Sequence, residues 1–471
     1  MTAPFAKGFS TAYKRARSQD SPTPLASPPV LKATKIEEEE EEEEKEQGAQ
    51  VESRIPAFLH QSQSAVRAKF NDLAWKEKLR ILQGRSDPSS QWVQDTSPHV
   101  MRRNRYGNVQ PWEKSRIHLK VAEGKSDYIN ASPISLRDPR TGVETKFIAT
   151  QGPKQSGLSH FWHMIWQETT DVAVIVMLTQ THDGTTEKCF QYFPLNVEAG
   201  YFKVEPLDRA RDTPEGSVTF LEYHLDMDSK TEIRKLSLRF GAETKDVWHF
   251  LFSGWPDFAV PEDNNRTALL ELLKLCAEKN TSPSNPRIIH CSAGVGRSGT
   301  FIALEYLLAQ VESGAILDAK EGEDMIYEVV NCLREQRMLM VQMEGQYQFL
   351  YDVIRDQFKE RQLQASGQHS PKLQVQANGM KPAIIDDASN AGGFFSNVKT
   401  DESQAAAVAE MKSGEGQVEE SKPAGQDPGV PWLAASFGRD FLFVSSCIVA
   451  FAAGISGMYL WFRGTGADGC L

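Results

Sequence analysis

A cysteine and an arginine separated by five residues stand out in this sequence, because together they could attack and bind a phosphate group. Cys291 and Arg297 lie in the stretch HCSAGVGRSGTF, residues 290–301. Gly294 and Gly296 permit positive φ angles and close backbone approach, so consecutive N–H groups can converge on one anion. The planar guanidinium of Arg297 can bind two oxygens of that anion. The spacing predicts a phosphate-binding loop with a sulfur atom at its base.

The elements on both sides of this loop would position the cysteine. The apolar residues RIIH, 287–290, predict a short strand, and a helix is predicted from about Ser298 onward. The positive end of that helix would lie beside Cys291, and such sites lower a cysteine pKa to about 3.5–7.5. A thiolate under a phosphoryl group predicts in-line attack and a cysteinyl-phosphate intermediate. An ordinary buried cysteine is the alternative, which the succession of strand, glycines and helix disfavours.

The bulk composition excludes several other classes of protein. The chain has 471 residues, 40% of them hydrophobic and nine of them tryptophan, so we expect a large globular core. The formal net charge of −11 stems largely from the acidic run Glu37 to Glu44, and the near-balanced remainder predicts no nucleic-acid partner. Six scattered cysteines and ten histidines show neither disulfide nor zinc spacing. We therefore expect no metal, no cofactor and a reducing compartment.

Hydrophobic periodicity predicts an α/β domain over residues 52–362. Helical spacing occurs in the segments 160–168, 266–279, 300–311, 325–336 and 346–358. The β-branched run DVAVIVML, 171–178, predicts a buried strand, and further strands are predicted at 217–227, 231–240 and 245–252. Helices before and after a strand-rich middle indicate a large, twisted, mixed β-sheet flanked by helices.

Both flanks of this domain differ from it in composition. Residues 1–51 are poor in aromatic residues and carry three Ser/Thr-Pro steps and the acidic run, which predicts a disordered tail with candidate sites for proline-directed kinases. This tail lacks the apolar core of a secretory signal. Residues 363–435 are rich in Ala, Gly, Gln, Ser, Glu and Lys, which predicts a flexible linker.

An uncharged segment near the C-terminus predicts a membrane anchor. Residues 441–462 are 22 residues without a charge or a proline. As a helix they would span about 33 Å at about 1.5 Å per residue, enough to cross a bilayer core. A buried core helix is the alternative, but few buried helices are uncharged on every side. We predict that residues 436–471 form a transmembrane tail anchor that holds the rest of the chain on the cytosolic face of an intracellular membrane. The moderate hydrophobicity of the segment favours the membrane of the endoplasmic reticulum.

The stretch HCSAGVGRSGTF resembles the signature of the classical, phosphotyrosine-specific protein tyrosine phosphatases. Further stretches resemble motifs of that family in the same order: NRYGNV (104–109), DYINAS (127–132), TQGP (150–153), KCFQYFP (188–194), WPDFAVP (255–261) and QMEGQYQF (342–349). Together they extend over about 55–360. The resemblance implies a cysteine-based phosphatase fold of the non-receptor type that hydrolyses phosphotyrosine in proteins without a metal or a cofactor.

The resemblance also implies roles for single side chains. Cys291 would be the nucleophile and Arg297 would hold the phosphate. Asp257 would protonate the phenolic oxygen and then accept a proton from water, which Gln342 would position. Ser298 would donate its hydroxyl to the leaving thiolate, or cap the helix as its N-cap, or do both.

A set of substrate-binding and supporting residues follows from the same resemblance. Tyr106 would form the wall of a deep pocket that admits phosphotyrosine and not the shorter phosphoserine. The substrate-binding residues would be Tyr106, Asn108, Phe258, Ser292, Ala293, Gly294, Val295, Gly296 and Gln346, supported by His290, Lys188 and Trp255. Asn108 stands where many members carry an aspartate, so we expect weaker anchoring of the substrate main chain.

Two further functions share these motifs. A dual-specificity or phosphoinositide phosphatase would have the same loop, but SAGVG holds no basic residue for an inositol phosphate and Tyr106 argues against a shallow pocket. A phosphotyrosine-binding pseudophosphatase finds no support, since no catalytic residue is missing. The expected partners are tyrosine-phosphorylated proteins, with a MAP kinase as one candidate, and a membrane through the C-terminal helix.

Overall fold

The computed structural model describes residue 52 and residues 54–207, 215–256 and 259–365, all within one compact unit. The predicted N-terminal tail and the predicted anchor lie outside these residues. So do Asp257 and Phe258, and all of the predicted linker except its first three residues.

Eight strands form one mixed β-sheet at the centre of the described part. They are β1 (Ala131–Arg137), β2 (Glu144–Thr150), β3 (Val172–Met177), β6 (Tyr201–Val204), β7 (Gly216–Asp226), β8 (Thr231–Phe240), β9 (Glu243–Phe252) and β10 (Arg287–His290), while β4 (His182–Asp183) and β5 (Thr186–Glu187) form a separate hairpin. The strand order is β1-β2-β10-β3-β9-β8-β7-β6. The pairs β2–β10, β10–β3 and β3–β9 are parallel and the outer pairs are antiparallel, so the predicted mixed sheet is confirmed.

Strand β3 lies inside the sheet, and this position explains why its sequence is a continuous run of apolar residues. Its side chains alternate between the two faces of the sheet, and both faces are covered. Val174 and Val176 join the core on one face, whereas Ala173, Ile175 and Met177 join the core on the other. Both cores therefore depend on the β-branched residues that made this strand predictable.

Helices cover both faces of the sheet. They are α1 (Gln63–Ser86), α2 (Pro98–Arg103), α3 (Leu158–Glu168), α4 (Asp263–Glu278), α5 (Gly296–Ser313), α6 (Met325–Gln336) and α7 (Glu344–Ala365). Apolar residues of α1, α4, α5, α6 and α7 belong to one core, and those of α3 belong to the other. Every predicted helical segment is a helix, which confirms the layered α/β architecture. Helix α7 ends at Ala365, three residues into the predicted linker.

Helix α1 and the hairpin β1–β2 were not predicted. Trp75, Leu79 and Leu82 of α1 are exposed, whereas Val66 and Leu73 are buried, so apolar residues occur on both sides of the helix and blur its period. Within the part of the chain that the structure describes, no helix is both long and apolar enough to cross a membrane.

Candidate active site

The loop between β10 and α5 lies at the carboxyl end of a central parallel strand. Strand β10 ends at His290 and α5 begins at Gly296. Gly294 has a φ of +73°, and a Cβ atom there would lie 2.0 Å from the carbonyl oxygen of Thr150. Both the left-handed backbone and this close approach require glycine, as the sequence predicted.

Cys291 lies at the base of this loop, with 3% of its surface exposed. The Gly294 N–H donates a hydrogen bond to the sulfur at 3.3 Å. Burial by itself would raise the thiol pKa, but the positive charge of Arg297 and the interactions with Ser298 and Gly294 outweigh it, so the pKa of Cys291 lies below its usual value. The sulfur is therefore a thiolate over a wider pH range than an ordinary cysteine.

Arg297 connects the loop to the segment that contains the predicted general acid. Its side chain is buried, and Nη1 donates to the carbonyl oxygen of Trp255 at 3.2 Å. The buried Trp255 donates from Nε1 to the carbonyl oxygen of Ala259 at 2.9 Å. These contacts bracket Asp257 and Phe258 in the chain, although those two residues lie outside the described part.

A cavity of about 210 Å³ opens above the loop. It is lined by Tyr106, Asn108, Val109, Cys291, Ser292, Ala293, Gly296, Arg297, Gln342, Met343 and Gln346, all of them predicted site residues except Val109 and Met343. The Tyr106 hydroxyl donates to Ser292 Oγ at 2.8 Å, because Ser292 in turn donates to the carbonyl oxygen of Lys188 at 2.8 Å. The predicted aromatic wall therefore stands directly against the loop.

Gln346 lines the same cavity from the start of α7, and Gln342 lines it from the segment before that helix. The amide of Gln346 lies against Gly296, where a Cβ atom would come within 3.1 Å of both its Nε2 and its Oε1. Val341 has a φ of +57° and donates from its N–H to the carbonyl oxygen of Val295 at 3.1 Å. This bond holds the segment before Gln342 against the phosphate loop.

His290 belongs to a buried chain of three polar side chains. His290 Nδ1 donates to the carbonyl oxygen of Cys291 at 3.1 Å, and its Nε2 accepts from the Tyr192 hydroxyl at 2.7 Å. Tyr192 can then only accept from His249 Nε2, which lies 2.9 Å away. Burial lowers the pKa of His290 to about 4, so the ring is neutral near pH 7 and orders the loop.

Ser298 is the third residue of α5 and does not cap it. The N-cap is Val295, whose carbonyl oxygen already accepts from the Gly299 N–H at 3.0 Å, so the prediction of Ser298 as the N-cap was wrong. Its buried Oγ has no partner within ordinary hydrogen-bond geometry among the described residues, yet the hydroxyl contributes to lowering the pKa of Cys291. That position suits the other predicted role, support of the thiolate.

Lys188 lies beside the short β4–β5 hairpin. Its ammonium group is 3.8 Å from the carboxylate of Asp183, and its carbonyl oxygen receives the Ser292 hydroxyl. The structure thus places the lysine-bearing segment against the phosphate loop. A contact of Lys188 with Asp257 falls outside the described residues.

Comparison with known proteins identifies the family. The sequence profile of the family described as Protein-tyrosine phosphatase matches residues 100–356, more than half of the chain. The chain belongs to the protein-tyrosine phosphatase family.

Several similar phosphatases cover the same region. Tyrosine-protein phosphatase 1 of Saccharomyces cerevisiae is 33% identical over 331 residues, 64% of this chain and 96% of the yeast protein. Tyrosine-protein phosphatase 2 of Schizosaccharomyces pombe is 36% identical over 295 residues, 61% of this chain but 38% of that protein. The crystal structure of the catalytic domain of human protein tyrosine phosphatase non-receptor type 18 is 26% identical, with a TM-score of 0.50, and covers 63% of this chain and 96% of that chain.

Arg337 supports the backbone of the phosphate loop, a role that the sequence did not predict. Its fully buried guanidinium donates to the carbonyl oxygens of Gly294 at 2.8 Å and Ala293 at 3.1 Å. It also donates to Asn130 Oδ1 at 2.8 Å, and burial lowers its pKa only to about 10, so it stays charged. An isolated arginine after a helix carries no sequence signal for this role.

Arg105 of the NRYGNV stretch was also missed as an individual residue. Its guanidinium donates to the carbonyl oxygens of Gly152 at 3.0 Å and Pro153 at 2.8 Å, and its backbone N–H donates to Gln151 Oε1 at 2.7 Å. It also contacts Glu187 of β5 at 3.1 Å. Arg105 thereby fixes the position of the neighbouring Tyr106, and its place inside a recognised stretch was a usable signal.

Among the described residues, no three His, Cys, Asp or Glu side chains lie close enough together to hold a metal ion. The residues that line the cavity instead include Arg297, which carries a guanidinium, and Asn108, Gln342 and Gln346, which carry amides. These groups suit an anion and not a cation.

Proposed function

We propose that this chain hydrolyses phosphotyrosine in proteins by transferring the phosphoryl group first to Cys291 and then to water, without a metal ion. The observation that carries this proposal is the buried Cys291 sulfur, with its lowered pKa, at the base of a cavity that Arg297 also lines. A thiolate of this kind is a strong nucleophile, and a guanidinium binds phosphate oxygens in pairs. Membership of the phosphatase family agrees with this chemistry.

In the first step the Cys291 thiolate attacks phosphorus in line with the phenolic oxygen. A sulfur–phosphorus bond forms while the bond from phosphorus to the tyrosine oxygen breaks. Asp257 gives its proton to the departing oxygen, so that neutral tyrosine leaves. The loop N–H groups and Arg297 hold the three non-bridging oxygens on which charge develops.

In the second step water attacks the phosphorus of the cysteinyl phosphate. Gln342 and Gln346, which line the cavity together, position that water, and Asp257 accepts its proton. The sulfur–phosphorus bond breaks, inorganic phosphate forms and Cys291 leaves as a thiolate. The Gly294 N–H and the Ser298 hydroxyl stabilise this leaving group, since both lower its pKa in the free protein.

Tyr106 gives the proposal its substrate class. Its hydroxyl is bonded to Ser292 and its ring lines the cavity, so the wall rises from the loop itself. A phosphoryl group must therefore sit on a long, flat side chain to reach Cys291, which a phosphotyrosine provides and a phosphoserine does not. Protein tyrosine phosphatase non-receptor type 18, which has a similar structure, forms complexes with HER2 phosphopeptides, and this likeness supports the proposed substrate class.

Two variants test the mechanism in the absence of metal ions. Cys291→Ser should lose turnover of a phosphotyrosine peptide, because a serine hydroxyl is not ionised near pH 7. Asp257→Ala should lower kcat by about 10²–10⁴-fold, the usual contribution of a general acid. Both should still bind the peptide in a fluorescence-anisotropy titration, since Arg297 and the loop remain.

The same assay separates the competing activities. Phosphoserine peptides and phosphoinositides should be poor substrates of the wild-type protein. Full turnover by Cys291→Ser, or a strict metal requirement, would overturn the mechanism. Equal rates on phosphoserine would indicate a dual-specificity enzyme, and binding without any wild-type turnover would indicate a pseudophosphatase.

We further propose that residues 436–471 anchor the domain to a membrane, with residues 52–362 as the catalytic unit. The uncharged segment 441–462 supports this proposal, since it has the length and composition of a bilayer-spanning helix. Full-length protein should sediment with membranes and resist extraction at pH 11, whereas a chain that ends at residue 435 should be released with its activity intact. Extraction of the full-length protein from membranes at pH 11 would contradict the proposed anchor.

Location and substrates extend this proposal. We infer the cytosolic face of the endoplasmic reticulum from the moderate hydrophobicity of the segment, with residues 1–51 as a flexible tail and the part of the predicted linker after Ala365, residues 366–435, as a flexible linker. Imaging of the full-length chain that shows a mitochondrial signal would contradict this location. Purifying phosphoproteins bound to Asp257→Ala from membranes would show whether a MAP kinase is a substrate.

A further inference from the structure

A second groove lies between the β1–β2 hairpin and α5, away from the phosphatase cavity. It has a volume of about 300 Å³ and is lined by hairpin residues between 136 and 147 and helix residues between 305 and 310. Gln310 follows Arg297 by thirteen residues along α5, which corresponds to roughly 20 Å at about 1.5 Å per residue. No residue is shared between the linings of the two cavities.

Gln310 carries an unsatisfied acceptor in the wall of this groove. The residue is 1% exposed, and its Nε2 donates to Asp138 Oδ2 at 3.1 Å. Its Oε1 has no hydrogen-bond partner among the described residues. Turning the amide over would place this oxygen against the Asp138 carboxylate, so the acceptor stays where it is. Buried carbonyl oxygens nearly always have a donor, and this one lacks it.

Glu305 offers a second unsatisfied acceptor in the same groove. Arg287 contacts its Oε1, whereas its Oε2 has no partner among the described residues. Burial raises the pKa of Glu305 even though Arg287 lies beside it, which means that the carboxylate lacks sufficient positive charge around it. A ligand that brings a positive charge would therefore be stabilised here.

Asp138 adds a carboxylate that stays ionised. The Thr141 N–H and hydroxyl donate to its Oδ1 at 2.6 and 2.9 Å, and the Arg140 N–H donates to it at 2.9 Å, which lowers its pKa. No lysine or arginine is among the described residues that line the groove. The nearby Arg140 side chain is already bound to Asp318 and to the carbonyl oxygens of Ser313 and Gly314.

We propose that this groove binds an arginine side chain of a protein partner. A guanidinium carries five N–H donors in one plane and a charge that cannot be lost, so it can satisfy Gln310 and Glu305 at once beside the Asp138 carboxylate. Leu136 and Val143 in the lining suit the methylene stem of such a side chain. A lysine ammonium is a point donor and fits two separated acceptors less well.

Ligand-observed NMR on the full-length chain in deuterated detergent tests this site. The probes are N-acetylarginine methylamide and its citrulline counterpart, which has the same shape without the charge. Saturation transfer should be stronger for the arginine probe, with an affinity about tenfold higher than for citrulline, the effect of one charge-assisted hydrogen bond. Equal affinities, or no saturable transfer from either probe, would overturn the proposal.

A matched pair of variants locates the binding. Gln310→Met removes the unpaired oxygen at similar size and should weaken the arginine probe by about tenfold. Gln83→Met makes the same exchange at an exposed position of α1 and should leave binding unchanged. The circular-dichroism spectrum and thermal unfolding of each variant report that it is folded, independently of its activity. Unchanged arginine binding by folded Gln310→Met would contradict the site, whatever the outcome for the proposed phosphatase reaction.

Discussion

At the scale of single residues, Cys291 shows how burial and local charge oppose each other. Burial disfavours a thiolate, and it raises the pKa of Cys276 and Cys189 even though Arg287 and Arg105, respectively, act to lower it. At Cys291 a guanidinium, a hydroxyl and a backbone N–H together outweigh burial, which the arginines near Cys276 and Cys189 do not. The surroundings that the loop provides, and not the cysteine itself, therefore lower the pKa of Cys291.

The pH dependence of alkylation measures this effect. The rate of reaction of Cys291 with iodoacetamide follows the thiolate fraction, so its midpoint should lie below the ordinary cysteine value of about 8.5. Arg297→Met should move the midpoint upward, because it removes the charge that lowers the pKa. Mass spectrometry of the peptide that contains residue 291 gives the rate, and an unmoved midpoint in Arg297→Met would contradict the assignment.

Gly294 allows a sharper test of the loop backbone. Gly294→Ala combines left-handed strain with a contact of 2.0 Å to the Thr150 carbonyl oxygen, so it should abolish turnover and lower the free energy of unfolding by several times the strain alone. Gly124→Ala is the matched control, since its φ is +79° with nothing within 4 Å. The control substitution should lower the free energy of unfolding, measured by urea denaturation, by only about 1 kcal/mol and should leave activity unchanged. Equal losses in both variants would show that close approach plays no part.

At the scale of elements, the end of α6 and the loop after it hold the phosphate loop in place. Arg337 donates to the carbonyl oxygens of Ala293 and Gly294, while Val341 donates to that of Val295. These bonds satisfy the carbonyl oxygens of three consecutive residues in the loop. The support of the phosphate loop thus comes from a segment some forty residues later in the chain.

Arg337→Lys tests this support. Lysine keeps the charge but cannot reach Gly294, Ala293 and Asn130 with separate N–H groups, so buried acceptors are left unpaired. We expect the free energy of unfolding, measured by urea denaturation, to fall by about 2–4 kcal/mol. We also expect kcat to fall by a larger factor than any rise in KM. Arg140→Lys on the surface is the control and should lose less than about 1 kcal/mol. Wild-type kcat in Arg337→Lys would refute the supporting role.

At the scale of the whole molecule, Glu77 links α1 to the segment that precedes Gln342. Its Oε1 accepts from the N–H of Leu339 at 3.2 Å, where the backbone has a φ of +60°. Burial raises the pKa of Glu77 to about 7, against the charges of Arg334 and Arg80, which lower it. The state of one carboxyl group therefore couples an N-terminal helix to the environment of the site.

This coupling predicts a pH-dependent stability. Because the folded protein binds the Glu77 proton more tightly than the unfolded chain, the stabilisation is complete below about pH 4.5 and is lost as the pH rises through about 7. Glu77→Gln should remove this slope. The free energy of unfolding of the wild type relative to the variant should fall by on the order of 2 kcal/mol between pH 5 and pH 8. Parallel urea titrations at both pH values check it, and a constant difference would contradict the raised pKa.

The sequence by itself determined the parts of this protein that depend on neighbours in the chain. The strand β10, the glycines of the loop and helix α5 follow one another within a short segment, so Cys291 and Arg297 could be assigned from their spacing. Periodic segments such as β3 and α6 were equally readable, because a buried face imposes its period on the residues themselves. Helix α1 could not be predicted in this way, because its exposed Trp75 obscures the helical period of its apolar residues.

The tertiary structure alone decided which distant residues meet. Arg337, Tyr192 and Glu77 act on the site through contacts with partners tens or hundreds of residues away, and no local pattern marks such a contact. Gln310 reads as an ordinary helical glutamine until the hairpin closes over it and leaves its oxygen without a donor. The reason is physical: desolvation and unpaired acceptors arise only when packing removes water, so neither exists in the extended chain.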